Sequence, residues 1–365
     1  MESQRIELAA SNDPVTLFAH VRRAVDGAVE QFLNSAAVAL ITIDAALSPI
    51  ATELVEFAAT GKRIRPLFGY CGWLAAGGPG DESAVIRSVA ALELVQVAAL
   101  IHDDIIDDSE SRRGRRTTHV GFEQLHRHAG WAGDSAKFGD SAAIIAGDLA
   151  LVFADRMLHE SGLDTPTLSR VRPVFDQMRL EVMSGQYLDI LAQAHPASPA
   201  DALRAALNVA RLKSASYTVA RPLHIGAAIA DARQSTVAAL LEYGEHIGIA
   251  FQLRDDLLGV FGDPTQTGKP AGDDLREGKR TALIALAQPH LAADDLNGFG
   301  DPDLAADDVD RLRLVITGSG APEKVEKLIS EHAVQAYQAI AGPHITDVGR
   351  TALHELGTNA TARAT

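Results

Sequence analysis

Cysteine is almost missing from this chain: Cys71 is the single thiol in 365 residues. That excludes an internal disulfide framework and any zinc centre built on cysteines. Aromatic side chains are also scarce, at 5%, which argues against a surface that reads bases by stacking. Positive charge is the minority sign. Lys and Arg number 33 against 48 Asp and Glu, a formal charge of −15. A surface of that sign repels a phosphate backbone and an anionic bilayer, so nucleic acid is not an expected partner; only local basic clusters escape this argument. The opening residues, MESQRIELAASNDP, are polar and acidic where a secretory signal would be basic and then apolar. No apolar run is expected to reach the ~20 residues of a membrane helix. The best candidate, Phe32 to Ile43, carries Asn34, Ser35 and Thr42 and is closed by Asp44. A cytoplasmic protein with no transmembrane segment is the expectation, and the glycosylation-like Asn359-Ala360-Thr361 reads as a coincidence of the tail.

What the chain does have is 47% hydrophobic and 22% charged residues, an ordinary globular balance with length enough for a large core. Its apolar residues recur with a helical period almost throughout. After the break Gly77-Gly78-Pro79-Gly80, Asp81 is a suitable N-cap. Val85, Val89, Leu92, Val95 and Ala99 then follow at the spacing of a buried helix stripe. Comparable patterns cover residues 17–46, 64–76, 141–159, 166–192, 200–229, 233–262, 279–288 and 322–341, and no alternating β-branched run predicts a sheet. The fold class is all-α: one large helical domain over residues 15–355, between a frayed N-terminus, 1–14, and a frayed tail, 356–365. The acidic segment Asp294 to Asp310 reads as an exposed loop. Gly262 to Gly272 is too rich in Gly and Pro for a helix and forms a long loop after an acidic helix end, a place where lids are found.

Three constellations carry chemistry. The first is Asp103-Asp104-Ile105-Ile106-Asp107, followed by Arg112, Arg113 and Gly114. Asp103 and Asp107, four apart, project from one helix face, and Asp104 lies about 100° round. A solvated helix end is the bland alternative, but negative charge at a helix C-terminus opposes the helix dipole, and a cation would remove that conflict. Oxygen-only ligands suit Mg2+, which shares one or two carboxylates with substrate phosphates. Arg112 and Arg113 suit bidentate phosphate binding. The second constellation is Phe251-Gln252-Leu253-Arg254-Asp255-Asp256, with Asp263 beyond. Alone, this Asp-Asp pair reads as a solvated turn; two acidic helix ends that face each other would hold several Mg2+ ions and, through them, a diphosphate. The third is Gly61-Lys62-Arg63-Ile64-Arg65-Pro66, cations at a helix start, where anions bind; on this motif alone, a basic surface patch is an equal reading. Lys213, Lys269 and Lys279 are further cations, each alone an ordinary solvated lysine. His119, His126 and His128 are read as solvated rather than as a metal site, since neither cysteines nor a pattern of groups to orient the rings accompanies them.

Taken in order, Gly-Lys-Arg-Ile-Arg-Pro (61–66), His-Asp-Asp-Ile-Ile-Asp with Arg-Arg-Gly (102–107, 112–114), Gly-Gln-Tyr-Leu-Asp (185–189), Phe-Gln-Leu-Arg-Asp-Asp (251–256), Gly-Asp (262–263), Gly-Lys-Pro (268–270) and Gly-Lys-Arg-Thr (278–281) resemble the trans-isoprenyl diphosphate synthases. The likeness spans residues 55 to 285. It implies the isoprenoid synthase fold, helices around a central cavity, in a homodimer. It implies head-to-tail condensation of an allylic diphosphate (dimethylallyl, geranyl or farnesyl) with isopentenyl diphosphate. By the same resemblance, Asp103, Asp107 and Asp255 hold three Mg2+, with Asp104 and Asp256 beside them, and Mn2+ can substitute. Arg112, Lys213, Lys269 and Lys279 would face the allylic diphosphate, and Lys62, Arg65, Gln96 and Arg113 the isopentenyl diphosphate. Ser214 and Gln252 sit where the family stabilises the allylic cation.

Three positions depart from the family pattern. Gly259 stands where the second motif has its third Asp, Ser214 replaces Thr, and Gln96 takes a place often held by His. In the family, bulky aromatics four or five residues before the first Asp close the pocket and shorten the product. Here those places are Ala98 and Ala99, with Val95 a further turn back, so the expected product is C20, geranylgeranyl diphosphate. Farnesyl or longer products are the alternatives. A class I terpene cyclase would not need Lys62, Arg65 and Arg113, and a non-catalytic partner subunit would not keep the acidic ligands.

Overall fold

A computed structural model describes residues 13–112, 114–262 and 272–362. The described chain is helical apart from one short hairpin. The helices are α1 (Pro14–Ile43), α2 (Ser48–Ala58), α3 (Ile64–Ala75), α4 (Glu82–Ile106), α5 (Thr118–Ala129), α6 (Ser135–His159), α7 (Thr165–Ala194), α8 (Ala202–Val209), α9 (Arg221–Ile229), α10 (Gln234–Phe261), α11 (Asp273–Arg276), α12 (Ala282–Ala287), α13 (Ala306–Gly318), α14 (Ala321–Ala339) and α15 (Asp347–Thr361). Ala210–Ala220, between α8 and α9, is a π segment. β1 (Ser111–Arg112) and β2 (Arg115–Arg116) pair antiparallel, Ser111 opposite Arg116. The helices gather into two compact units. One takes the chain up to Tyr70 together with Gly78–Arg170, the other Cys71–Gly77 with Val171–Thr365.

In the first unit, α1 begins where Asp13 accepts from the Val15 and Thr16 amides and Pro14 fits the first turn. It buries Phe18, Val21, Val25, Val29, Leu33, Ala36 and Leu40, a stripe at helical spacing. Helix α4 is capped by Asp81, as its sequence predicts, and packs on α1 and α6. It is also the most apolar segment, which corrects the expectation that no run is long enough to span a bilayer and that Phe32 to Ile43 comes nearest. An 18-residue window of Glu82–Ile106 has mean hydropathy 1.9, and 78% of that window is buried within the protein, the signature of a core helix.

In the second unit, α10 is the central element. Leu240, Tyr243, Ile247, Ala250, Leu253 and Leu257 are buried along it, and it packs on α9, α14, α15 and the π segment. Tyr243 Oη donates to the Leu353 carbonyl on α15 at 2.6 Å. Cys71 is fully buried, and desolvation pushes its thiol up, so it is an inert core residue.

Several local expectations change. Residues 356–361 are the last turns of α15, with Leu356, Gly357, Ala360 and Thr361 buried, so the chain does not fray at 356. The acidic stretch read as a loop contains a short 3-10 turn, Ala293–Leu296, and the start of α13. Asp307 and Asp308 lie in that helix's first turn, where negative charge favours the macrodipole. Helices α2, α5, α11, α13 and α15 and the hairpin are additional to the sequence pattern. His119 and His126 are buried, not solvated. His126 Nε2 lies 3.2 Å from the Ala132 carbonyl oxygen, and its ring packs against Trp131 and Phe138.

Candidate active site

The first acidic helix end lies in the first unit. Helix α4 stops because Asp108 adopts φ 50°, a left-handed conformation that Asp tolerates better than most residues. The amides of Asp107 and Ser109 bond back to the Asp103 and Asp104 carbonyls, each at 2.9 Å. The hairpin follows, turning at Gly114 (φ 73°). This turn brings Arg112 back onto the helix end. Its Nε donates to Asp104 Oδ1 at 2.6 Å and its Nη2 to Asp103 Oδ2 at 3.4 Å. Asp104 is fully buried, whereas Asp103 and Asp107 are half-buried. Helix geometry puts Gln96, Ala99 and Asp103 on one face, and all three are half-buried. Val95 and Ala98, each 1% exposed, belong to the core face instead. His102 ties the same turn to α6, its Nε2 lying 3.1 Å from the Ile144 carbonyl oxygen.

The basic loop belongs to the same unit, and its central residue has a part that the sequence did not reveal. Lys62 is exposed and Arg65 half-buried, but Arg63 is buried at φ 53°. Its guanidinium donates to Asp26 at 2.6 Å, to Glu93 at 2.9 Å and to the Ala58 carbonyl at 2.7 Å. Glu93 stands three residues before Gln96, so Arg63 staples the Lys62 loop to the turn of α4 that carries Gln96. A buried, fully hydrogen-bonded guanidinium of this kind sets loop conformation.

The second acidic end lies in the second unit. Asp255 is half-buried and Asp256 buried. Gln252 Nε2 donates to Asp256 Oδ1 at 2.7 Å. Burial raises the Asp256 carboxyl to about 8; the Gln252 bond opposes this, and the nearby charges of Asp274, Asp255 and Asp189 add to it. Asp274 was missed by sequence reasoning, and Gly259 explains its place. A Cβ added at Gly259 would lie 1.9 Å from Asp274 Oδ2, so the Asp274 carboxylate fills the space of the absent side chain. Lys279 pairs with Glu277 and lies 3.8 Å from Asp274 Oδ1. Lys213 Nζ donates to Asp189 Oδ2, in the Gly185-Gln186-Tyr187-Leu188-Asp189 run, at 2.7 Å. Ser214 is half-buried beside it. Arg113, Asp263 and Lys269 lie outside the described residues.

Among the described residues, no three His, Cys, Asp or Glu side chains converge into a ready-made metal cage. The donor set is nonetheless all oxygen and acidic, the chemistry of a hard cation that completes its shell with water and phosphate oxygens.

Residues 46–297 match the model of the Polyprenyl synthetase family. The chain belongs to the polyprenyl synthetase family. Members of this family are trans-polyprenyl diphosphate synthases, and this chain is such a prenyltransferase. It is 35% identical to the geranylfarnesyl diphosphate synthase of Aeropyrum pernix, over 77% of this chain and 82% of that one. It is 32% identical to the geranylgeranyl diphosphate synthase of Mycobacterium tuberculosis, over 77% and 75%. The geranylgeranyl pyrophosphate synthase of Corynebacterium glutamicum, solved in complex with isoprenyl diphosphate and magnesium, superposes with a TM-score of 0.90 at 41% identity, covering 94% of this chain and 99% of that one. The two sequence relatives differ in product length at nearly equal identity, so identity alone does not set the length made by this polyprenyl synthetase.

Proposed function

We propose that the protein condenses an allylic diphosphate with isopentenyl diphosphate head-to-tail and makes chiefly C20 geranylgeranyl diphosphate. The observation that carries the length is Ala99. It is a small residue one turn before Asp103 on the same half-buried face of α4, about 6 Å back along the axis. A growing chain that starts at Asp103 meets no bulky side chain there.

Asp103, Asp107 and Asp255 would hold the metal, three Mg2+ by family analogy, with Asp104 and Asp256 behind them. Magnesium, when bound, offsets the charge that builds on the departing diphosphate. Arg112, Lys213 and Lys279, with Lys269, would bind the oxygens of that diphosphate. Lys62, Arg65 and Gln96, with Arg113, would hold the isopentenyl diphosphate, the loop being kept in place by Arg63. Ser214 and Gln252 would offer oxygens to the allylic cation, and an apolar surround would keep water from it. The released diphosphate then accepts the proton that ends the step. The 15–355 segment acts as the catalytic domain. A homodimer is supported by the apolar side chains of Ile144, Ile145 and Val152 on α6, which are 47, 54 and 59% exposed and which a second copy would cover.

The test is incubation of the purified chain with labelled isopentenyl diphosphate, Mg2+ and each of dimethylallyl, geranyl and farnesyl diphosphate, with products separated by length. A dominant C20 product is expected. No incorporation, or cyclic hydrocarbon products, would overturn the reaction; a C15 or C25 stop would overturn the length alone.

A further inference from the structure

Ala210–Ala220, the segment that carries Lys213 and Ser214, runs as a π-helix for eleven residues. Most π-helices are single-turn bulges, and a longer run needs tertiary contacts to hold it. Two helices of the second unit supply them. On one side, Gly248 and Gly244 of α10 let Ala215 and Ala220 approach so closely that an added Cβ would lie 2.4 and 2.5 Å from their Cα atoms. On the other side, Glu181, Gly185 and Asp189 of α7 recur at i, i+4 and i+8 and so form one stripe. A Cβ at Gly185 would lie 2.3 Å from the Lys213 backbone nitrogen, and Asp189 accepts from Lys213 Nζ.

Glu181 is the remaining member of that stripe, and the mechanism above makes no use of it. Its carboxylate accepts from Ser216 Oγ, from Arg221 Nε at 2.8 Å and again from Arg221 Nη2, and from Gln177 Nε2 at 3.0 Å. Ser216 lies two residues beyond Ser214, and Arg221 is the first residue after the π segment. Burial would raise the Glu181 carboxyl, but these hydrogen bonds outweigh it and hold the group at about 2, so it is ionised at any working pH. Pro222, which follows Arg221, has no N–H to continue an i→i−4 ladder.

We propose that Glu181 is a positioning residue for Lys213 and Ser214: by gripping Ser216 and Arg221 it holds the π segment in register. If the grip is lost, the segment can relax to an α-helix. A one-residue change of register turns a side chain by about 100° about the helix axis, which would swing the ammonium and the hydroxyl away from the site. The inference rests on the reading of Lys213 and Ser214 given under the proposed function.

The experiment is a double-mutant cycle of Glu181→Gln and Lys213→Ala, with Ser216→Ala as a milder break in the same grip. kcat, both KM values and thermal unfolding are measured. Glu181→Gln should lower kcat about tenfold or more, leave the KM for isopentenyl diphosphate within about twofold, and cost clearly less when Lys213 is already Ala, because only the effect through Ser214 then remains. Ser216→Ala should act in the same direction with a smaller loss. A wild-type kcat in Glu181→Gln, or losses that multiply in the double variant, would overturn the proposal. If Glu181→Gln does not fold, Ser216→Ala crossed with Lys213→Ala decides by the same criterion. Amide hydrogen exchange supplies a readout independent of turnover: residues 210–220 should exchange faster in Glu181→Gln while residues 165–176 do not change. Unchanged exchange at 210–220 refutes the grip whether or not the wild type elongates prenyl chains, whereas an inactive wild type with the expected exchange refutes only the functional reading.

Discussion

The two acidic helix ends answer the same electrostatic problem differently. At the end of α4, the repulsion between Asp103 and Asp104 is relieved by a cation from the same chain, because the hairpin returns Arg112 onto both carboxylates. At the end of α10, a third carboxylate joins the pair: Asp274 fills the space left by Gly259, near Asp255 and Asp256, and brings Lys279 to within 3.8 Å. The first end thus holds a guanidinium directly on two of its carboxylates, while at the second a lysine, Lys279, stands 3.8 Å from Asp274 and burial leaves Asp256 with a raised affinity for protons. Local sequence explains why. Arg112 is eight residues from Asp104 and needs only a two-residue turn to reach it, whereas the groups around Asp256 come from α7 and from beyond the 263–271 segment.

This contrast can be broken most severely by removing the metal. EDTA should abolish turnover and Mg2+ should restore it, and Asp103→Ala and Asp255→Ala should each lower kcat on the order of 10²-fold or more. Full turnover in metal-free buffer would contradict the use of either end. A sharper separation comes from the cations of the first unit. Lys62→Ala and Arg65→Ala should raise the KM for isopentenyl diphosphate about tenfold and spare that for the allylic primer, whereas Arg112→Ala should chiefly lower kcat. Equal effects on both substrates from all three variants would remove the distinction between the sites.

The faces of α4 make the next test. Ala99→Phe should shift products towards C15 or C10 with turnover retained. Ala98→Phe, on the core face, should instead cost about 1–3 kcal/mol of stability through overpacking, read as a lower denaturant midpoint. If Ala99→Phe remains active and keeps the wild-type length, this helix does not set it. The smallest effect concerns pH. His224 lies 3.3 Å from Arg221 Nη1, and burial first, then the Arg221 charge, lower it from 6.5 to about 4. A histidine depressed in the folded state contributes stability above its unfolded value, and that stability is lost as pH falls from about 6.5 towards 4. The depressed Glu181 carboxyl adds a second loss as pH falls from about 4.5 towards 2. His224→Gln should flatten the slope of unfolding free energy between pH 6.5 and 4 and leave the lower step in place; an unchanged slope would sink the assignment.

The order of residues alone dictates the helical class, the cap at Asp81 and the presence of both acidic motifs, whereas the cap at Asp13 emerged only in the structure, within a stretch expected to fray. These depend on short-range rules: apolar period, capping chemistry and residue spacing. The sequence also placed Lys62, Arg65, Asp103, Asp107, Lys213 and Asp255 in a recognisable order. Tertiary structure alone decided which of these side chains have partners. Arg63 looked like one more cation of a basic loop, yet burial against Asp26 and Glu93 makes it an anchor. Ala98 and Ala99 are equivalent as letters; helix spacing puts Ala99 on the Asp103 face, but only packing shows that Ala98 lies in the core. Gly259 read as a lost carboxylate until Asp274, fifteen residues on, was found in its space. Glu181 carried no signal at all, because its partners on the π segment and just beyond it, Ser216 and Arg221, lie 35 and 40 residues away in sequence. Local patterns are set by the geometry of one helix, but burial and hydrogen-bond partnership depend on which helices meet, and no single segment of the chain contains that information.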